Sequence, residues 1–195
     1  MNLFPTACRY ALCAAILLSS GVCAADDDPT PDAAQASMLA SAWDKTQQEL
    51  GSIWRSDQAE LYLPLNIWHN RAYYTSAKIA SYNEQPWGIG FGRYRYDGAG
   101  NWHALYAMAF LESHNDIEPV AGYAFQKIWR PVADLRLGAG FTAGITLRAT
   151  SHYLPIPVLL PLASIESGRL ALQFTYIPGG NGKGNVLFTW LRWQL

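Results

Sequence analysis

Cysteine is almost missing. The chain has three, Cys8, Cys13 and Cys23, all near its beginning. Past Cys23 there is no thiolate nucleophile and no disulfide partner, which excludes cysteine catalysis and a cross-linked scaffold for the rest of the chain. Long apolar runs are missing as well. After the first 24 residues no stretch reaches the ~18 consecutive apolar residues that a membrane-spanning helix needs. That excludes a helical anchor there but leaves a membrane β-barrel open. Nor is there an excess of charge: 14 Lys and Arg stand against 15 Asp and Glu, so no strong field points to nucleic acid. Aromatic residues, by contrast, are abundant. Eight Trp, 11 Tyr and seven Phe are a heavy load for a soluble domain and a natural one for aromatic girdles at two membrane interfaces.

Residues 1–24 read as a secretory signal peptide: a charge at Arg9, the apolar run "YALCAAILLSSGVCA", and Val22 and Ala24 at the −3 and −1 positions of a cleavage site before Ala25. A lipoprotein signal lipidated at Cys23 is the rival, but it lacks a leucine three residues upstream. Residues 25–36, "ADDDPTPDAAQA", are acidic and proline-containing and are expected to form a flexible leader. Over 37–55, Leu39, Trp43, Leu50 and Trp54 recur at near-helical spacing with polar residues mostly elsewhere, which predicts an amphipathic helix. That pattern serves a helix packed on a core and a helix lying at a membrane interface equally well.

From residue 60 to 195 the periodicity is that of strands. Eight are expected, at about 60–74, 86–97, 101–113, 118–130, 134–148, 156–166, 168–178 and 184–195. The linking segments alternate roughly between long and short, the rhythm of an up-and-down antiparallel barrel. In 134–148, Leu135, Leu137, Ala139, Phe141, Ala143, Ile145 and Leu147 share one face, while charges sit only at the two ends of the other. In 101–113 both faces are apolar, so a small barrel built this way has either a packed interior or an apolar guest such as one acyl chain. A soluble lipocalin-like barrel or sandwich would also show buried apolar strands. Pro64, Pro86, Pro161 and Pro178 lie inside or at the edges of these strands. Each removes a ladder donor and marks a ragged strand end or a lateral gap.

The apolar segment "NWHALYAMAF" ends in Glu112-Ser113-His114. A carboxylate, a hydroxyl and an imidazole in a row form either a polar loop or part of a reaction centre at a barrel rim. A metal site of His69, Glu112, His114 and Asp116 fits no standard ligand spacing, and no GxSxG elbow is present.

The segments "YNEQPWGIGFG" (82–92), "GNWHALYAMAF" (100–110), "EPVAGY" (118–123), "IWRPVAD" (128–134), "LGAGFTAG" (137–144), "PIPVLLPLAS" (155–164) and "TYIPGGNGKGNV" (175–186) follow in order. The series closely resembles the lipid A palmitoyltransferase family, PagP, of Gram-negative outer membranes, over about residues 60–195 and more loosely in the preceding helix. The resemblance implies an all-β fold: an eight-stranded antiparallel transmembrane barrel with an N-terminal amphipathic helix, in the outer membrane. It implies an enzyme that moves an acyl chain, usually palmitoyl, from the sn-1 position of a glycerophospholipid to a hydroxyacyl chain of lipid A, without a cofactor. By motif position the essential residues are His69, Glu112 and Ser113. Transesterification needs a hydroxyl deprotonated, a leaving alcohol protonated and an oxyanion stabilised. Histidine suits the proton shuttle, with a carboxylate to fix its tautomer. The resemblance further implies lateral lipid access at Pro64 with Pro86 and at Pro161 with Pro178. His103 matches a position linked to lipopolysaccharide recognition, and Arg148 one linked to phospholipid gating. Their alternative readings are a polar residue at the membrane boundary and a snorkelling strand-end arginine. His114 and His152 are expected in loops without a specific task, and a monomer is expected.

Three departures from the family pattern matter. Glu112 replaces the usual aspartate, extending the carboxylate by about one methylene, and a misplacement of about 1 Å is costly in catalysis. Ala124 replaces a glycine at the floor of the family's acyl pocket, so chains slightly shorter than palmitate are expected. Leu195 replaces the usual terminal aromatic. The rival functions are a non-catalytic lipid-binding barrel and a phospholipase that uses water as acceptor.

Overall fold

The computed structural model describes residues 31–132, 134–180 and 183–195. The signal-peptide and cleavage-site expectations, and the part of the leader over 25–30, lie outside the described residues. Packing divides the chain into two units, one ending at Ala42 and one running from Trp43 to Leu195. The described part of the first is the beginning of helix α1 (Pro31–Trp54). The second holds the rest of α1 and a closed barrel of eight strands in sequential order. Residues 31–36, expected in the leader, are therefore helical. Pro31 is compatible with a first helical position, where its missing N–H costs nothing, and "AAQA" has high helix propensity.

The strands are β1 (Ala59–His69), β2 (Gly88–Tyr96), β3 (Trp102–Leu111), β4 (Ile117–Val132), β5 (Leu135–Leu147), β6 (Pro155–Ser167), β7 (Leu170–Ile177) and β8 (Val186–Gln194). Each pairs antiparallel with the next, and β1 closes on β8. Every strand falls where alternation placed one. The largest boundary difference is at β1, which ends at His69 rather than continuing to residue 74. The next residues turn, and a short helix α2 (Ser76–Ala80) follows, its first turn capped by Thr75, whose hydroxyl accepts from Lys78 N at 3.4 Å.

The connections sort by end. Residues 97–101 and 168–169 make tight turns at one end, where β4 also gives way to β5; residues 70–87, 112–116 and 148–154 make longer connections at the other, where β7 gives way to β8. The wall is inverted relative to a water-soluble protein. Outward positions carry Leu63, Leu65, Ile89, Phe91, Phe141, Ile145, Leu159 and Ile165, all exposed. Glu60, Gln126, Glu166, Gln173 and Arg192 are buried inside. Exposed aromatics gather at both rims, Trp68, Trp87 and Tyr153 at the long-loop end and Trp54, Trp129 and Trp193 at the other.

Two seams in the wall are incomplete. The β1–β2 ladder runs only from Ala59–Arg93 to Tyr62–Gly90, while β1 stays paired to β8 as far as His69–Val186. The β6–β7 ladder stops at Leu162–Thr175, while β6 stays paired to β5 through Pro155. Pro64 and Pro161 stand at these two stops, and proline offers no N–H to extend a ladder. Pro86 lies two residues before β2, and Pro178 directly follows β7. Both openings face the half of the barrel with the long loops.

Candidate active site

His69 is the last residue of β1 and is 2 % exposed, and Ser113 lies just past the end of β3. Both strands deliver their ends to the long-loop rim. A tight turn carries Ser113. The Glu112 carboxylate accepts from His114 N at 2.7 Å and from the His114 ring Nδ1 at 2.8 Å, and Glu112 N donates to Asp116 O at 2.9 Å. Asn115 closes the turn in the left-handed region, φ 67°, a conformation asparagine tolerates better than most residues. The loop after α2 docks against this turn, with Asn83 N donating to Ser113 O at 2.8 Å and Asn83 Nδ2 to Asn115 Oδ1 at 2.8 Å.

Ser113 Oγ lies 3.0 Å from His69 Nε2. The imidazole is held on two sides, stacked on Tyr82 at a ring separation of 4.6 Å and met edge-on by Tyr74 at 5.1 Å. Its Nδ1 lies 3.0 Å from Glu84 Oε1, which also accepts from His69 N at 3.1 Å. Arg71 grips Glu84 with both terminal nitrogens, at 2.6 Å each, and donates to His69 O at 2.9 Å. The Arg71 hydrogen bonds are the largest influence on Glu84; with the His69 donors they outweigh partial burial and hold its carboxyl at about 2.

The carboxylate that meets His69 is Glu84. Glu112, adjacent to Ser113, does not meet His69. A side chain at the head of so tight a turn reaches the N–H groups just ahead of it, and Glu112 spends its oxygens there and on the His114 ring. Burial opposes ionisation of Glu112, but these donors outweigh it and keep its carboxyl below the usual range. Arg148 comes to the same rim, its Nη2 3.6 Å from Glu112 and its Nε 3.1 Å from Glu118.

Glu84 was missed from sequence. It belongs to "YNEQPWGIGFG", but it lies 15 residues from His69 and reaches it only because α2 folds the connecting loop back over the rim. The one local signal was an acidic residue among turn formers in a long loop.

A cavity of about 460 Å³ opens at this rim, lined by His69, Glu112, Ser113, Arg148 and Lys78 together with the apolar Phe110, Val186 and Phe188. Ala124, 2 % exposed, lies further in. It borders a void of about 10 Å³ with Tyr106, Thr142, Leu162 and Trp190. The interior is thus neither one open tube nor solid: a chamber of mixed polar and apolar lining at the rim, then packed side chains.

His103 does not join the site. It is the second residue of β3, and at ~3.3 Å per residue the strand carries it about 30 Å from Ser113. There it meets Tyr123 Oη at 2.8 Å, Asp97 at 3.2 Å and Glu49 of α1 at 3.2 Å. Through Glu49 it links α1 to the wall at the end of the barrel away from Ser113. Among the described residues no three His, Cys, Asp or Glu side chains converge on a metal-sized site.

A closed barrel with an apolar outer wall, and a hydroxyl, an imidazole and a carboxylate in series at one rim, defines a class: β-barrel enzymes that transfer acyl groups. The model of one family, described as "Antimicrobial peptide resistance and lipid A acylation protein PagP", matches residues 49–192, and the chain belongs to that family. Among its relatives, a "Lipid A acyltransferase PagP" of Laribacter hongkongensis is 63% identical over 153 residues, 78% of this chain and 74% of the relative. A protein of the same name from Yersinia enterocolitica is 56% identical over 154 residues, 78% and 76% of the two chains. One from Dickeya dadantii is 45% identical over 190 residues, 96% and 95% of the two chains.

Proposed function

We propose that this acyltransferase acylates lipid A, taking an acyl chain, palmitoyl or slightly shorter, from the sn-1 position of a glycerophospholipid in the outer membrane. The observation that carries the reading is the Ser113–His69 pair, 3.0 Å apart, at the mouth of a chamber whose lining combines polar rim groups with Phe110, Ile177, Val186 and Phe188. A phospholipid ester at that mouth lies against the imidazole while its chain runs down the bore. His69 takes the proton of the attacking hydroxyl and returns it to the departing glycerol oxygen. The apolar wall, the aromatic rims and the asymmetry of the turns favour a membrane-spanning barrel with the long loops and the site outside. The incomplete seams at Pro64 with Pro86 and Pro161 with Pro178 then serve as lateral routes for lipid. Arg148, at the rim beside Glu112, is placed to meet a lipid phosphate there. One protomer carries the complete site in this reading.

The test is incubation of the purified protein in detergent micelles with sn-1-labelled phospholipid, with and without lipid A. Label is expected to move to lipid A, and Ser113→Ala and His69→Ala are expected to stop that transfer while leaving a folded barrel. Release of free fatty acid alone, whether or not lipid A is present, would show a phospholipase. Lipid binding without turnover of either kind would show a binding barrel.

A further inference from the structure

We infer that Glu84 is the residue that positions the His69 imidazole for proton transfer, and that Arg71 holds Glu84 in place for that task. This deepens the proposed function and rests on it. One oxygen of Glu84 accepts from both the backbone N–H and the ring Nδ1–H of His69, at 3.1 and 3.0 Å. With the proton fixed on Nδ1, the lone pair sits on Nε2 and faces Ser113 Oγ at 3.0 Å. No other carboxylate is available for this, because Glu112 is engaged by His114 and its turn. The fork of Arg71 on both oxygens of Glu84 fixes its plane and compensates its charge.

The proton balance is complete without an added reagent. The attacking hydroxyl loses its proton to Nε2 as its oxygen bonds the acyl carbon. The imidazolium so formed is stabilised by Glu84, which stays ionised. Nε2 then gives the proton to the glycerol oxygen as the old ester bond breaks, and His69 is neutral again. Glu84 touches no reacting atom, so it is a positioning residue rather than a catalytic one.

The experiment compares Glu84→Ala, Glu84→Gln and Arg71→Ala with the unchanged protein in micelles. It reads kcat and KM for transfer from a phospholipid to lipid A, the pH–rate profile, and the ring nitrogen signals of ¹⁵N-histidine-labelled protein. For Glu84→Ala, kcat is expected to fall about 10²–10⁴-fold with KM changed less than about threefold, and the His69 signals to show a mixture of tautomers. For Arg71→Ala, the acid limb of the pH–rate profile is expected to move upward, because Glu84 has lost its strongest stabiliser as an anion. Glu84→Gln keeps size and an acceptor but loses the charge. It decides the matter if Glu84→Ala does not fold, and kcat is then expected to fall at unchanged KM. A kcat within about threefold of the unchanged protein in the folded Glu84 variant, or His69 signals that stay in one tautomer in Glu84→Ala, overturns the inference. Ser113→Ala and His69→Ala run alongside. If these retain transfer, the proposed site itself fails; if they lose it while the Glu84 variants keep it, the inference on Glu84 fails alone.

Discussion

In the proposed function Ala124 sets the length of the acyl chain by one methyl group. Its side chain points into the bore, where Tyr106, Thr142, Leu162 and Trp190 leave only about 10 Å³ free. In the proposed function an acyl chain entering at Ser113 ends near this layer, and each extra methylene then needs space that the methyl denies. Ala124→Gly is expected to move acyl selectivity toward chains longer by about one or two methylenes, at little cost in rate. Mass spectrometry of acylated lipid A after incubation with mixed-chain phospholipids measures it. An unaltered chain-length profile would show that the floor lies elsewhere. At this scale the sequence was legible where a residue's task depends on its own strand. Alternation put Ala124 on the face of Gly122 and Gln126, and it is buried inside as that face requires. Motif position likewise pointed to His69 and Ser113, which lie at the same rim, at the ends of β1 and β3, 3.0 Å apart. Partnerships across loops were not legible. Glu112 looked like the partner of His69 because it adjoins Ser113, whereas the partner is Glu84, brought in by a fold of the chain that no periodicity records.

The loop over residues 70–87 is the element that completes the site. It supplies Arg71, Tyr74, Tyr82, Asn83 and Glu84, and it covers His69 without contributing a strand. Its docking depends on charge. The carboxyl of Glu84 sits at about 2 in the folded protein against an ordinary 4.5. A depressed carboxyl contributes stability that is fully present above its ordinary value and is lost as the pH falls through the folded one. The loop is therefore expected to stay docked from neutral pH down through pH 4 and to loosen as the pH falls from there toward about 2. Ring signals of Tyr82, stacked on His69, report this in a pH titration by NMR. Loosening already at pH 5–6 would show that something other than Glu84 holds the loop. Arg71→Ala is expected to bring the transition to higher pH. The helix within this segment was hidden in the sequence because "SAKIA" is too short to show a period, and β1 appeared to run on because "RAYY" has strand composition.

In the whole molecule the two ends of the barrel do different work. The rim with the long loops holds the chamber and the reacting groups, and the other end is filled with paired polar side chains. Arg192 donates from Nη2 to Glu166 at 2.8 Å, stands 3.6 Å from Glu60, and lies 4.2 Å over the ring of Trp102. Tyr62 and Trp102 donate to Glu60, while Trp190, Gln173 and Gln126 form a chain one layer further up. Strand count, order and facing were legible because an apolar wall imposes a period of two on every strand. The plug was not, because its eight members are inward residues spread over six strands and converge only when the barrel closes. Breaking such a set is costly because it strands charge in the interior. Arg192→Met, which removes the cation and leaves Glu60 without its ion pair and Glu166 with Arg136 alone at 3.3 Å, is expected to destabilise the barrel by about 3–5 kcal/mol. Replacing all three, as Glu60→Gln, Glu166→Gln and Arg192→Met together, is expected to recover much of that loss, since the two fully buried carboxylates are gone and Arg136, which loses its partner Glu166, keeps contact with solvent. Thermal unfolding in detergent, followed by gel mobility of the folded and unfolded forms, measures both. The folded fraction of either variant is expected to keep its rate of acyl transfer, because the reacting groups stand at the far rim. Equal stability of the single variant and the unchanged protein would mean that the charges stay hydrated in the barrel end, and that the bore is closed by Trp102 and Trp190 alone.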